Sequence, residues 1–139
     1  MPKRGTAAVE DRGEFTLTLD GTDYVLRPSY EAINEIETNT GKGLLQLARS
    51  ATTGTMPLGE AAEVATACIR AWGRSTGDQF VAHVQAQRIG ELIVESEGGY
   101  NAALVTIGSA LAVAVTGGCT ASGEVKPAAP TKAEAGAVG

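Results

Sequence analysis

Residues 15–28, FTLTLDGTDYVLRP, decide how the chain begins to fold. Apolar and polar side chains alternate from Phe15 to Leu19, which predicts a β-strand with one buried face. Asp20-Gly21 is a strong hairpin signal, and Tyr24 to Leu26 supplies the second strand. A turn of two residues and a turn of four residues both fit the sequence. The two strand pairings are offset by an even number of residues, so both place the same side chains on one face of the hairpin. Two strands alone are barely stable in water, so we expect helices or another chain to cover this face.

Helical patterns follow the hairpin. Pro28 stops the second strand, and apolar residues at helical spacing then continue almost to residue 116. The predicted helices are Tyr30 to about Asn39 (closed by Gly41), Leu44 to Ala51, Leu58 to Trp72 (broken by Gly73 to Gly77), a region from Asp78 to Gly98 that fits one helix or two, and Tyr100 to Thr116. The last helix is apolar nearly all round, so we expect it to be the most buried element.

These patterns predict a mainly α protein with a small N-terminal β-hairpin, an α+β fold with about five helices. The core should be rich in Ala, Leu and Val. We expect a flexible N-terminal arm over residues 1–13, a single helical domain over 14–118 and a disordered tail over 119–139. The tail consists mainly of Ala, Gly, Pro, Lys and Glu, and Pro127 and Pro130 oppose regular structure.

Charge argues against nucleic acid and membranes as partners. The formal net charge is -5, and the 11 basic residues are scattered, whereas phosphate binding needs clustered Lys and Arg. The uncharged run from Ala102 to Val115 is shorter than the roughly 20 residues that cross a bilayer. The polar N-terminus has no apolar segment typical of a signal peptide. We therefore expect a cytoplasmic protein.

The sequence offers no catalytic, cofactor-binding or metal-binding site. His83 is the only histidine, and no residue pattern supplies it with a nucleophile or with metal ligands. Cys68 and Cys119 are far apart in the sequence and are interpreted as reduced thiols. Glu31 and Glu35 lie one helical turn apart, where like charges repel, so they fit a solvated helix face. We predict that the protein is not an enzyme and binds no cofactor.

Four short motifs resemble the small tail proteins of gene transfer agents and related siphophages, in the tail-assembly chaperone group. They are RPSYEAINEIE at 27–37, TGKGLL at 40–45, IRAWG at 69–73 and IGELI at 89–93. The similarity extends from about Glu14 to Gly117. It implies a protein that binds the tape-measure protein, tail tube subunits or both while tails assemble in the bacterial host cytoplasm. It implies no catalytic residues.

Three apolar residues are candidates for partner contact. Leu44 and Leu47 lie on the predicted second helix and could form an apolar groove, and Trp is enriched at binding hot spots, which singles out Trp72. Self-association is also possible, because the hairpin has an open edge. Two other functions stay open: a structural or accessory component of the tail, and a small cellular protein-binding regulator. A tube subunit is disfavoured, since we expect it to be built on a larger β-sandwich.

Overall fold

The computed structural model describes residues 15–126. Strands β1 (Phe15–Leu19) and β2 (Thr22–Leu26) form an antiparallel hairpin in which Phe15 pairs with Leu26 and Leu17 with Tyr24. The turn has two residues, Asp20 and Gly21, with φ angles of 52° and 79°. Positive φ at both positions is typical of the tight type I′ turn, whose twist matches that of the strands. The predicted hairpin is confirmed, and the shorter of the two possible turns is the one formed.

Six helices follow within the described residues, and the predicted fold class is confirmed. They are α1 (Tyr30–Thr40), α2 (Leu44–Thr53), α3 (Leu58–Thr76), α4 (Gln79–Ala82), α5 (Ala86–Glu95) and α6 (Gly99–Val115). The region left open as one helix or two is therefore two, α4 and α5. Helix α1 begins and ends as predicted: the Ser29 hydroxyl accepts from the Ala32 N–H at 3.1 Å, and Gly41 is left-handed.

Helix α3 forms the centre of the molecule. It packs against α1, α4, α5, α6 and β2, and ten of its nineteen residues are buried. The core consists mostly of Ala, Leu and Ile side chains. In α6, only five of seventeen residues are buried, so the prediction that it would be the most buried element is wrong. Helix α6 packs mainly on α2 and β1, and its other side is exposed, with Val105 at 68%.

The predicted end of α3 at Trp72 is also wrong, because the helix continues through Gly73 to Thr76. A Cβ atom on Gly73 would lie 2.7 Å from the Ala82 Cα atom of α4. Glycine at this position therefore permits a close contact between two helices and does not break one. Gly77, in the left-handed conformation, ends the helix instead.

The predicted disordered tail does not begin at Cys119. Residues 119–126 fold back on the domain: the Lys126 N–H donates to the Gly118 carbonyl at 2.6 Å, and the Tyr30 N–H donates to the Ala121 carbonyl at 2.8 Å. The rest of the predicted tail, 127–139, and the predicted arm, 1–13, lie outside the described residues. Within residues 15–126, no helix is both long and apolar enough to cross a membrane.

Candidate protein-binding surface

Two of the predicted contact residues lie on α2, with different environments. Leu47 is 0% exposed and belongs to the core, so it cannot form part of a binding surface in the folded domain. Leu44 is half-buried in the first turn, where its N–H donates to the Glu37 carboxylate at 2.9 Å. The side chain that α2 exposes is Leu45, at 51%. The solvent-facing leucine of α2 is therefore Leu45, which was not among the predicted contact residues.

Trp72 is half-buried on α3 and contacts a cation. The guanidinium of Arg27 lies 5.7 Å from the centre of its ring, within the range of a cation–π interaction. The same guanidinium donates to the Glu124 carboxylate at 2.9 Å. Trp72 therefore takes part in intramolecular packing between α3 and the residue that follows β2, next to the C-terminal segment.

Trp72 and Leu44 do not form one surface. Lys42, just before α2, forms an ion pair with Glu60 in the first turn of α3. Trp72 lies twelve residues further along the same helix, which corresponds to about 18 Å at 1.5 Å per residue. The three predicted residues are a core leucine and two side chains near opposite ends of α3.

The large apolar side chains that are most exposed lie elsewhere. They are Tyr30 (68%), Leu45 (51%), Phe80 (78%), Val94 (58%) and Val105 (68%). The apolar spacing between Asp78 and Gly98, which fits one helix or two, predicts Phe80 on the same side as Val84 and Ile89. In the structure α4 has only four residues and none is buried. The polar residues His83 and Gln85, which interrupt the apolar pattern, were the signal that the helix is short and that Phe80 could face solvent.

Phe80 stands at the edge of a groove between the hairpin and the α4–α5 region. The groove has a volume of about 460 Å³ and is open on one side. Its floor is formed by the buried residues Leu19, Ile89 and Leu92, and the half-buried Tyr24 and Val84 also line it. We call this site the hairpin groove. It can accept an apolar side chain from another protein.

Polar contacts hold the α4 wall of this groove. The Asp78 carboxylate caps α4 by accepting from the Val81 N–H at 3.2 Å. Arg70 of α3 donates through Nε to the Val84 carbonyl at 2.8 Å and pairs through its other end with Glu35 at 3.0 Å. One arginine therefore ties the segment after α4 to both α3 and α1. This gives the groove a fixed wall even though α4 itself is short.

Charges of opposite sign stand at the rim. Asp20 lies at the hairpin turn, and Arg88 of α5 pairs with Glu91 at 3.3 Å. His83 also lines the groove, and its Nδ1 lies 2.8 Å from the Gln79 carbonyl. Within residues 15–126, no group of three or more His, Cys, Asp or Glu side chains could hold a metal ion. The groove is therefore an apolar site with a polar rim, the arrangement common at protein interfaces.

The family model described as "Phage tail tube protein, GTA-gp10" matches residues 12–96. The matched range contains the hairpin, helices α1 to α5 and every residue of the hairpin groove. The comparisons with curated proteins and with solved structures give no match. Because the family model covers more than half of the chain, the protein belongs to this family of phage and gene transfer agent tail proteins.

Proposed function

We propose that the protein is a non-enzymatic tail-assembly chaperone. It binds the tape-measure protein, tail tube subunits or both, in the cytoplasm of the bacterial host, while the tail is built. Membership of a phage tail family supports a role with protein partners. The observation that carries the proposal is Phe80, an aromatic side chain 78% exposed beside the open hairpin groove. Large aromatic side chains contribute strongly to protein interfaces when a partner covers them.

The hairpin groove suits a transient contact. Fully burying one large apolar side chain is worth about 1.5–3 kcal/mol, so a single groove of this size binds a client side chain weakly by itself. A client that presents several such side chains along a helix can be held through repeated contacts and then released to its final partner. The apolar face of the hairpin is already covered, since Leu17 and Leu19 are 3% and 1% exposed. Client binding would therefore not require the domain to open.

A second candidate function is a structural component of the tail. The description of the family, which names a tail tube protein, favours it. The residues that the structure describes contain a single two-stranded sheet, whereas a ring-forming tube subunit is expected to use a larger β-sandwich. The chaperone is therefore the function that the geometry supports better. Mass spectrometry of purified tails distinguishes the two, because a structural component is present there in stoichiometric amounts.

Co-expression with the tape-measure protein of the same phage tests the proposal. We expect the wild-type chain to raise the soluble yield of the tape-measure protein. Phe80→Asp should abolish most of this gain, because a carboxylate at the groove's edge opposes apolar contact. Leu45→Asp is the matched control: Leu45 is exposed to 51% on α2, away from the groove, and the yield should stay at the wild-type level.

Two results would count against the proposal. Equal insolubility of the tape-measure protein with and without the wild-type chain rejects the chaperone function. Equal losses with Phe80→Asp and Leu45→Asp, both folded by circular dichroism, reject the hairpin groove as the binding site.

A further inference from the structure

The exposed side of α6 has no charge. No charged residue occurs between Gly99 and Val115, although the helix is mostly unburied. Five exposed positions follow helical spacing and form one stripe along the helix and its C-cap: Asn101, Val105, Ser109, Ala112 and Thr116. Ala102 is exposed beside this stripe. Other surface helices of this domain carry ion pairs, such as Glu31–Arg74 between α1 and α3 and Arg88–Glu91 on α5. Val105 and Ala112 of this stripe are apolar, and the other three side chains are polar but uncharged. A surface without charges is typical of the core of a protein interface, where charged residues are depleted.

Helix α2 extends this surface. Two shallow grooves between α2 and α6 have volumes of about 400 and 300 Å³. Gly108 lies at the crossing, where an added Cβ would be 3.5 Å from the Ala51 Cβ, so the two helices pack closely. Arg49 is the one charged residue among those lining either groove, and it has no ion pair within the described residues. We call the exposed stripe of α6 with the adjoining side of α2 the α2–α6 face.

We propose that the α2–α6 face binds a second copy of this chain. The formal net charge is -5, so two copies repel each other at most orientations. The α2–α6 face has no acidic residue. The electrostatic repulsion between two copies is therefore weakest when two such faces meet. A twofold axis near Ser109 would run the two α6 helices antiparallel and place Val105 opposite Ala112 of the second copy. Every contact then occurs twice, as in a twofold dimer.

The same symmetry brings opposite charges together. Arg49 lies beside Ala112 and Val115, in the C-terminal half of α6. In the antiparallel arrangement it would face the N-terminal end of the second copy's α6, where the exposed Glu97 precedes the helix. An exposed ion pair of this kind adds little affinity but favours one orientation of the two chains. The one unpaired charge of the face thus has a partner in the proposed dimer.

The size of the face sets the expected strength. A seventeen-residue helix is about 26 Å long, and two adjacent helices are roughly 20 Å wide, which gives about 500 Å² per chain. Stable complexes usually bury about 800 Å² per partner. We therefore expect a reversible dimer whose population rises with concentration in the micromolar range. The hairpin groove is lined by other elements and stays open in this dimer, so the inference does not rest on the chaperone function.

Sedimentation velocity of the full-length chain over a range of micromolar concentrations tests the dimer. We expect the apparent mass to rise from 14.2 kDa toward twice that value. Val105→Glu places two carboxylates near the twofold axis and should weaken association by at least about tenfold. Val94→Glu, at a similarly exposed position on α5, should leave association unchanged. Arg49→Glu should weaken it, and Arg49→Glu combined with Glu97→Arg should restore it.

Each alternative to the proposed dimer predicts a different experimental result. A wild-type chain that is monomeric at every concentration overturns the proposal. If residues 127–139 cover the face instead, only a chain that lacks them will dimerise, and this too overturns it. If the Val105→Glu variant is folded by circular dichroism and still dimerises, the dimer uses another surface and the proposal is overturned. A successful Val105→Glu monomer should still raise the solubility of the tape-measure protein, which separates this test from that of the chaperone function.

Discussion

Gly73 lies inside α3 and determines how closely α4 can approach. A Cβ atom there would lie 2.7 Å from the Ala82 Cα atom and 2.8 Å from the Val81 carbonyl carbon, both in the backbone. A backbone neighbour cannot rotate away as a flexible side chain can. The position of α4, which carries Phe80, therefore requires a residue without a Cβ atom at position 73 of α3.

Gly73→Ala should lower the free energy of unfolding by about 1–3 kcal/mol, because the methyl group would force α4 away from α3. Gly59→Ala is the matched control in the same helix, since a Cβ at Gly59 meets nothing within 4 Å. It should raise the free energy of unfolding by up to about 1 kcal/mol through helix propensity. Urea denaturation measures both. Similar effects of the two substitutions would show that the contact with Ala82 is not tight.

At the scale of elements, the segment 119–126 connects the end of α6 to the start of α1. The Ala121 carbonyl accepts from the Tyr30 N–H, which belongs to the first turn of α1 and has no partner within the helix. Glu124 pairs with Arg27, which also contacts Trp72. Gly123, with φ 91°, would bring a Cβ within 2.8 Å of the Ser29 nitrogen. This segment therefore packs against the N-terminal end of α1.

A chain that ends at Gly118 should be less stable than one that ends at Lys126, by about 1–3 kcal/mol, because it loses the hydrogen bonds to α1 and to Gly118. Both chains lack residues 127–139, so the difference isolates the segment 119–126. In the full-length chain, Glu124→Gln removes one charge from an ion pair in which Glu124 is half-exposed and Arg27 mostly buried. It should cost only about 1 kcal/mol, because the glutamine oxygen can still accept a hydrogen bond from Arg27. Equal urea midpoints for the two truncated chains would contradict the packing of this segment.

The whole molecule is organised around α3, and Cys68 lies in its middle. The thiol is 0% exposed, whereas Cys119 is half-buried, and both are free. Burial, together with the smaller effects of Cys119 and Glu35, raises the pKa of Cys68 from 9.0 to about 12. A thiolate is strongly disfavoured at this point, because it would be surrounded by core side chains.

Stability should therefore fall in alkaline solution. Between pH 9 and 12 the unfolded chain has lost the Cys68 proton while the folded chain keeps it, so a rising pH favours unfolding. The contribution of this thiol is about 1.4 kcal/mol per pH unit in that window. In Cys68→Ala the free energy of unfolding should decline less steeply by this amount, since the other groups that titrate at alkaline pH are unchanged. Urea denaturation measures the free energy of unfolding of both chains across this window. If it declines at the same rate in the wild-type chain and in Cys68→Ala, Cys68 ionises equally in the folded and unfolded states.

The sequence alone determined the elements whose causes are local. Alternation and Asp20-Gly21 specify the hairpin, and Pro28 and Gly41 mark the ends of α1, because turns and helix ends depend on neighbouring residues. The overall class, a mainly α domain with a hairpin, followed from the same patterns. Membership of a tail protein family was also anticipated from short motifs, and the family match over residues 12–96 confirms it at that level.

Only the tertiary structure decided which apolar residues stay exposed. Helical spacing shows that residues share a face, but not whether another element covers it. Leu47 is covered and Leu45 is not, although both are leucines on one short helix. Helix α6 is apolar on all sides, so its sequence indicates no inward direction, and its packing on α2 and β1 leaves Val105 in solvent. Phe80 and the hairpin groove result from contacts between segments distant in sequence, which no local pattern specifies.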